Sequence, residues 1–112
     1  MRIERDGRVL ADSIRPRLLF ETHLPVRLYL PREDVRTDLL RPSNTVTACA
    51  YKGEASYWSL DLDGRMVEDI AWSYQQPLSD ATEIVDLLCF FDERVDVFVD
   101  GAPSERPQTP WS

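Results

Sequence analysis

At 112 residues, with a hydrophobic content of 43% and a charged content of 29%, the chain has the length and make-up of one globular domain with its own core. Its formal net charge of −7 argues against a nucleic-acid backbone or an anionic membrane as the main partner, since both call for a positive footprint. The opening MRIERDGRVL lacks the apolar run of a signal peptide, and no stretch approaches the ~18 apolar residues of a membrane span. A cytoplasmic location is therefore expected.

In chain order, strand patterns dominate. RIERDGRVLADS places Asp6-Gly7 between two β-suitable runs, the signature of a two-residue type I′ hairpin. RPRLLFET, PVRLYL and the β-branched NTVTAC read as further strands. PREDVRTDLL carries Pro31 at a plausible first helical position, with acidic residues behind it, and predicts a short helical turn. SLDLDGRMVED repeats the first turn chemistry at Asp63-Gly64 between two longer runs. SDATEIVDLL opens on the N-cap candidate Ser79, before LLCFF and RVDVFVDG return to strand. Past Gly101, residues 102–112 are proline-rich and polar and predict a flexible tail, with Trp111 incidental to it. The expected fold is mainly β: one domain over residues 1–101, a small closed or tented arrangement of antiparallel sheets with one or two short helical turns.

A two-residue turn at Asp63-Gly64 fixes a register for the second hairpin. Leu60 then faces Val67, Trp58 faces Asp69, Tyr57 faces Ile70 and Ala55 faces Trp72. Alternation puts Tyr57, Ile70, Trp72 and Tyr74 on one face with Ala55 and Glu68, and Trp58, Leu60, Leu62, Val67, Ala71 and Asp69 on the other. Small Ala55 opposite Trp72 would leave one side of the indole uncovered beside Tyr57 and Tyr74. Aromatic walls with few polar groups build small-ligand sites and attract cations through the ring quadrupole. Aromatics also suit strand cores, so plain packing competes with that reading. Lys52, beside Gly53, is a candidate contact for a carboxylate or phosphate, although an exposed turn lysine is the commoner case.

Other chemistry is sparse. Glu33 and Asp34, with Asp38, are carboxylates suited to acid–base work or Mg²⁺, and equally suited to the start of a short helix. His23 beside Glu21 has no Ser or Cys in a nucleophile motif to serve. Cys49 and Cys89 belong to no CxxC pair and, with one histidine, make no standard zinc site; both read as buried and inert. Glycine-rich nucleotide signatures are missing, so neither a metal nor a cofactor is expected.

The succession YLPREDV, CAYKGEASYW, EDIAWSYQQPL and CFFDERVDVFVDG resembles the domain-of-unknown-function family 427, over roughly residues 2 to 100. Ala50 departs from it, standing where the family usually carries proline. The resemblance implies a β-tent fold similar to the ligand-binding domain of cereblon and to the zinc-containing methionine-sulfoxide-reductase type. Zinc does not carry over, because the two CxxC pairs that hold it in many relatives are missing. A tryptophan cage for a small cyclic ligand does imply that Tyr57, Trp58, Trp72 or Tyr74 lines a corresponding cleft. The family's nucleotidyltransferase-like label implies Mg²⁺-holding carboxylates and a phosphate cradle, and the residues offer no clear version of either.

Three functions follow as expectations. One is a binding module for a small molecule or modified residue, using Tyr57, Trp58, Trp72 and Tyr74 with Lys52 and Asp69 for polarity. The second is a small enzyme on a nucleotide-like substrate, using Asp34 or Glu33 as its carboxylate. The third is a structural homodimer that buries the aromatic face.

Overall fold

The structure is a computed structural model and describes residues 1–19, 27–49, 53–74, 86–107 and 109. His23, Lys52, Ser79 and Trp111 lie outside them, as do the side chains of Leu19 and Cys49. The expected β class holds: two antiparallel sheets and two single 3-10 turns make up the described secondary structure. Among the described residues, no helix is long and apolar enough to cross a membrane.

The smaller sheet is built on the first hairpin. Strands β1 (Arg2–Arg5) and β2 (Arg8–Asp12) pair antiparallel with Arg5 opposite Arg8, so Asp6 and Gly7 alone form the loop. Their φ values of 51° and 80° are the paired positive angles that a type I′ turn requires. On the other side of β1 lies β9 (Asp96–Val99), followed by β10 (Ala102–Pro103). Asp100 and Gly101, at φ 51° and 81°, make a third turn of the same kind. The chain past Gly101, expected as a loose tail, thus begins by adding a strand. Ser104 then donates its amide to the Val97 carbonyl at 2.7 Å, and Arg106 pairs with Asp96 at 2.9 Å.

The larger sheet has six strands in the order β3 (Arg17–Leu19), β4 (Arg27–Leu30), β8 (Leu88–Phe90), β7 (Arg65–Ser73), β6 (Gly53–Leu62) and β5 (Leu40–Cys49). The predicted helical turn in PREDVRTDLL is two 3-10 turns, Arg32–Asp34 and Thr37–Leu39, with Pro31 immediately before the first. Segment 31–40 runs beside β2, bridged by Ala11 with Val35 and by an Arg36 amide bond to the Leu10 carbonyl at 2.7 Å.

Alternation divides the large sheet into two faces. Leu30, Leu60, Ile70, Ala71, Leu88 and Phe90 face the small sheet and pack with Ile3, Leu10, Val95 and Val97 into the main core. The opposite face, called the outer face below, carries Tyr29, Ala55, Trp72, Tyr74, Cys89 and Phe91 as a second cluster.

The expected register of the β6–β7 hairpin is correct near its turn and wrong beyond it. Leu62 faces Arg65 and Leu60 faces Val67, but Trp58 then faces Ala71 and Tyr57 faces Trp72. Three residues of β7, Glu68 to Ile70, stand against Ser59 alone. This bulge shifts the pairing by two places and moves Ile70 into the main core. Asp69, at its centre, has φ 50°, a left-handed conformation for a residue with a side chain.

Candidate functional site

A second irregularity lies on the other flank of β6. Pro42 faces Trp58 and Val46 faces Ser56, so Ser43, Asn44 and Thr45 of β5 stand against Tyr57 alone. Two three-against-one bulges therefore flank alternate residues of one strand, Tyr57 and Ser59. They meet: the Thr45 hydroxyl donates to Asp69 Oδ2 at 2.7 Å. The Asp69 amide donates to Ser59 Oγ at 3.2 Å, and its carbonyl accepts from Arg94 at 2.8 Å. The Thr45 amide is turned onto Ser43 Oγ at 3.1 Å. The other Asp69 oxygen, Oδ1, is buried without a hydrogen-bond partner.

Between the bulges lies a pocket of about 350 Å³, with Ser43, Asn44, Thr45, Ser59, Glu68 and Asp69 in its walls. Pro42 and Met66 complete its rim. That volume falls within the range of small-ligand sites. Bulges are over-represented beside such sites because they re-aim side chains, and a strained non-glycine angle held by its surroundings is a further mark of them.

Beside the pocket stands the aromatic cluster. Tyr57 projects to the outer face two residues before Ser59, its hydroxyl 3.0 Å from that of Thr47. Its ring stacks on Phe91 with centroids 6.2 Å apart. Phe91 also meets Trp72 at 4.5 Å, and the Trp72 indole donates to the Tyr29 hydroxyl at 3.1 Å while meeting its ring edge-on. The face of Trp72 expected to stand open beside Ala55 is therefore occupied, and only 8% of the residue is exposed. Tyr74 is equally buried. Trp58 belongs to the inner face: it packs on the main core, donates to Ser73 Oγ at 3.0 Å and lies under the Arg32 guanidinium.

Beneath the cluster is a charged group that the sequence reading did not anticipate. Arg27 and Glu93 form a buried, two-pronged ion pair with N–O distances of 2.6 and 2.9 Å. The Arg27 guanidinium lies 5.3 Å from the Trp72 ring, and that of Arg94 lies 4.4 Å from Phe91. Thr109 adds a hydrogen bond to Glu93 at 2.5 Å. Burial alone would raise the Glu93 carboxyl, but the hydrogen bonds from Arg27 and Thr109 hold it at about 2. Burial pushes Asp92 the other way, up to about 6, with Arg27 pulling it partly back and Glu93 adding to the rise. Cys89 is fully buried and its thiol is pushed well up by burial, which fits the inert role expected for it.

The expected catalytic carboxylates sit apart from these groups, on the first 3-10 turn. Asp34 accepts the Ser13 hydroxyl at 2.7 Å, and Glu33 pairs with Arg15 at 2.8 Å. The outer face thus brings together Tyr57, Trp72, Tyr74 and Asp69 of the predicted residues, and leaves Trp58, Glu33 and Asp34 elsewhere. Phe91, Arg27, Thr45 and Ser59 are the contributors that sequence reasoning missed. Among the described residues, no group of three His, Cys, Asp or Glu is placed to hold a metal ion.

Fold and site define a small two-sheet β protein with a polar pocket set between bulges. The chain belongs to the domain-of-unknown-function family DUF427, whose model matches residues 1–101; its short label speaks of nucleotidyl transfer and its description assigns no function. A search of curated proteins returns no match.

Proposed function

We propose that this protein is a non-enzymatic binding module for a small molecule or a modified residue. The ligand is seated on the outer face of the six-stranded sheet, where the Ser59–Asp69 pocket meets the Tyr57–Phe91 aromatics. The observation that carries this reading is the convergence of two bulges on one strand around a pocket of about 350 Å³. The pocket supplies polar groups that orient a ligand, and Tyr57, which is half-buried, supplies an aromatic edge. Trp72 and Tyr74 act behind it, holding Phe91 and Tyr57 in place. Lys52, expected as an anion contact, belongs to the proposal by sequence only.

The enzymatic alternative rests on a smaller pocket of about 170 Å³, lined by Glu33, Asp34, Asp12 and Arg36. Asp34 and Glu33 are engaged by Ser13 and Arg15, and nucleotidyl transfer calls for carboxylates grouped around Mg²⁺.

The test is a thermal-shift screen of nucleotides, cyclic imides, amines, carboxylates and divalent metals, with hits mapped by amide chemical shifts. A ligand at about 100 times its Kd stabilises by about 2.7 kcal/mol. A hit that moves the amides of residues 43–45, 57–59 and 68–69 supports the reading. Hits that map only to the first 3-10 turn, or turnover abolished by Asp34→Asn, would overturn it.

A further inference from the structure

The charge balance of the pocket narrows the ligand class. Among the described residues, its walls carry two carboxylates, Asp69 and Glu68, three hydroxyls and one amide, and no lysine or arginine. Neither carboxylate has an ion-pair partner among the described residues. Asp69 receives one side-chain hydrogen bond, from the neutral Thr45, and its Oδ1 receives none. The cation that does reach this bulge, Arg94, donates to the Asp69 main-chain carbonyl and lies over the Phe91 ring. One guanidinium against two carboxylates leaves the locality net negative. The hydroxyl protons are partly committed as well, since Thr45 spends its own on Asp69. Acceptors therefore outnumber free donors, and an anion would meet two carboxylates with only the Asn44 amide and the Ser43 and Ser59 hydroxyls to offset them.

Resting on the small-molecule reading above, we infer that the Asp69–Glu68 pocket takes a small organic cation bearing N–H donors, an alkylammonium or alkylguanidinium group. The N–H groups meet Glu68, Asp69 Oδ2 and the lone pairs of Ser43, Thr45 and Ser59, Asp69 Oδ1 adding its charge from beneath the surface, and the alkyl part lies against Pro42 and Met66. Charge-assisted hydrogen bonds to carboxylate are the strong kind, so affinity tracks the ligand's charge.

The probes are n-butylammonium and n-butylguanidinium, with n-butanol and butyrate as neutral and anionic counterparts, titrated into the full chain and followed by amide shifts. The expected result is that the two cations shift the amides of 43–45, 59 and 68–69, with a Kd at least tenfold below that of butanol or butyrate. Asp69→Asn should weaken the cations at least tenfold while keeping the fold, because Asn tolerates the left-handed backbone. Glu68→Gln, at an exposed position, provides a second variant with a smaller loss. Butanol or butyrate binding these amides as tightly as the cations, with Asp69→Asn and Glu68→Gln indifferent, would overturn the cation assignment and leave the small-molecule reading standing. Failure of every compound, here and in the broader screen, to move those amides would overturn both.

Discussion

Thr45 and Asp69 sit on strands that do not pair with each other, yet their side chains meet at 2.7 Å across β6. The bond is possible only because both flanking strands bulge there, and it ties the two bulges to one another. Thr45→Val, which keeps the shape and removes the hydroxyl, leaves both carboxylate oxygens without a side-chain donor. The expected loss is about 1–3 kcal/mol in urea unfolding, with Thr45→Ser close to wild type.

The left-handed angle of Asp69 separates its substitutions by backbone. Asp69→Asn is expected within about 1 kcal/mol of wild type, and Asp69→Val, β-branched at φ 50°, about 2 kcal/mol or more below it. Equal stability of the two variants would show that the bulge relaxes freely.

Trp72 fills space between Tyr29 and Phe91, so its removal is a packing defect first. Trp72→Ala should cost about 3–5 kcal/mol, against a smaller cost for the half-buried Tyr57→Ala. Ligand studies at this face are therefore better made with Asp69 and Glu68 variants than with Trp72.

Arg27 and Glu93 are closed off from solvent together, and removing one strands the other. Glu93→Gln or Arg27→Met alone should cost about 3–5 kcal/mol, with the Arg27→Met/Glu93→Leu double variant recovering much of it. The Glu93 carboxyl lies at about 2 in the fold, below its ordinary 4.5. Its contribution is thus full above pH 4.5 and drains away as pH falls toward 2, which acid unfolding of wild type against the double variant would reveal.

Asp92 carries the opposite sign. Its carboxyl lies at about 6 in the fold against an ordinary 3.8, so the folded chain holds that proton more tightly than the unfolded one does. The favourable protonated form is complete below pH 3.8 and is lost as pH rises through 6. Asp92→Asn should therefore raise stability at pH 7, on the order of 2 kcal/mol, and make no difference below pH 4. Matched denaturant curves at the two pH values would check this.

What was legible in the sequence was local. Asp6-Gly7 and Asp63-Gly64 announced two hairpins because that dipeptide takes the two positive φ angles almost without cost. The third such turn, Asp100-Gly101, went unread because its return strand is two residues long and contains Pro103. Register survived as far as Val67 and failed at Asp69, where no glycine marks the left-handed angle. Alternation still grouped Tyr57, Trp72 and Tyr74, but the bulge re-aimed Asp69, which alternation alone had set beside Trp58. Thr45, Phe91 and the Arg27–Glu93 pair were out of reach for a different reason. Each is defined by a partner far away in the chain, and nothing in the local pattern records that distance.

The β5 bulge has one more effect. Among the described residues β5 is the last strand of its sheet, and a ten-residue border strand is a template on which other chains can grow sheet. Ser43 to Thr45 break its line midway, and Pro42 beside them has no amide hydrogen to offer. The kink that shapes the pocket thereby also interrupts the edge, so straightening β5 would open it to pairing with other chains as well as reshape the pocket.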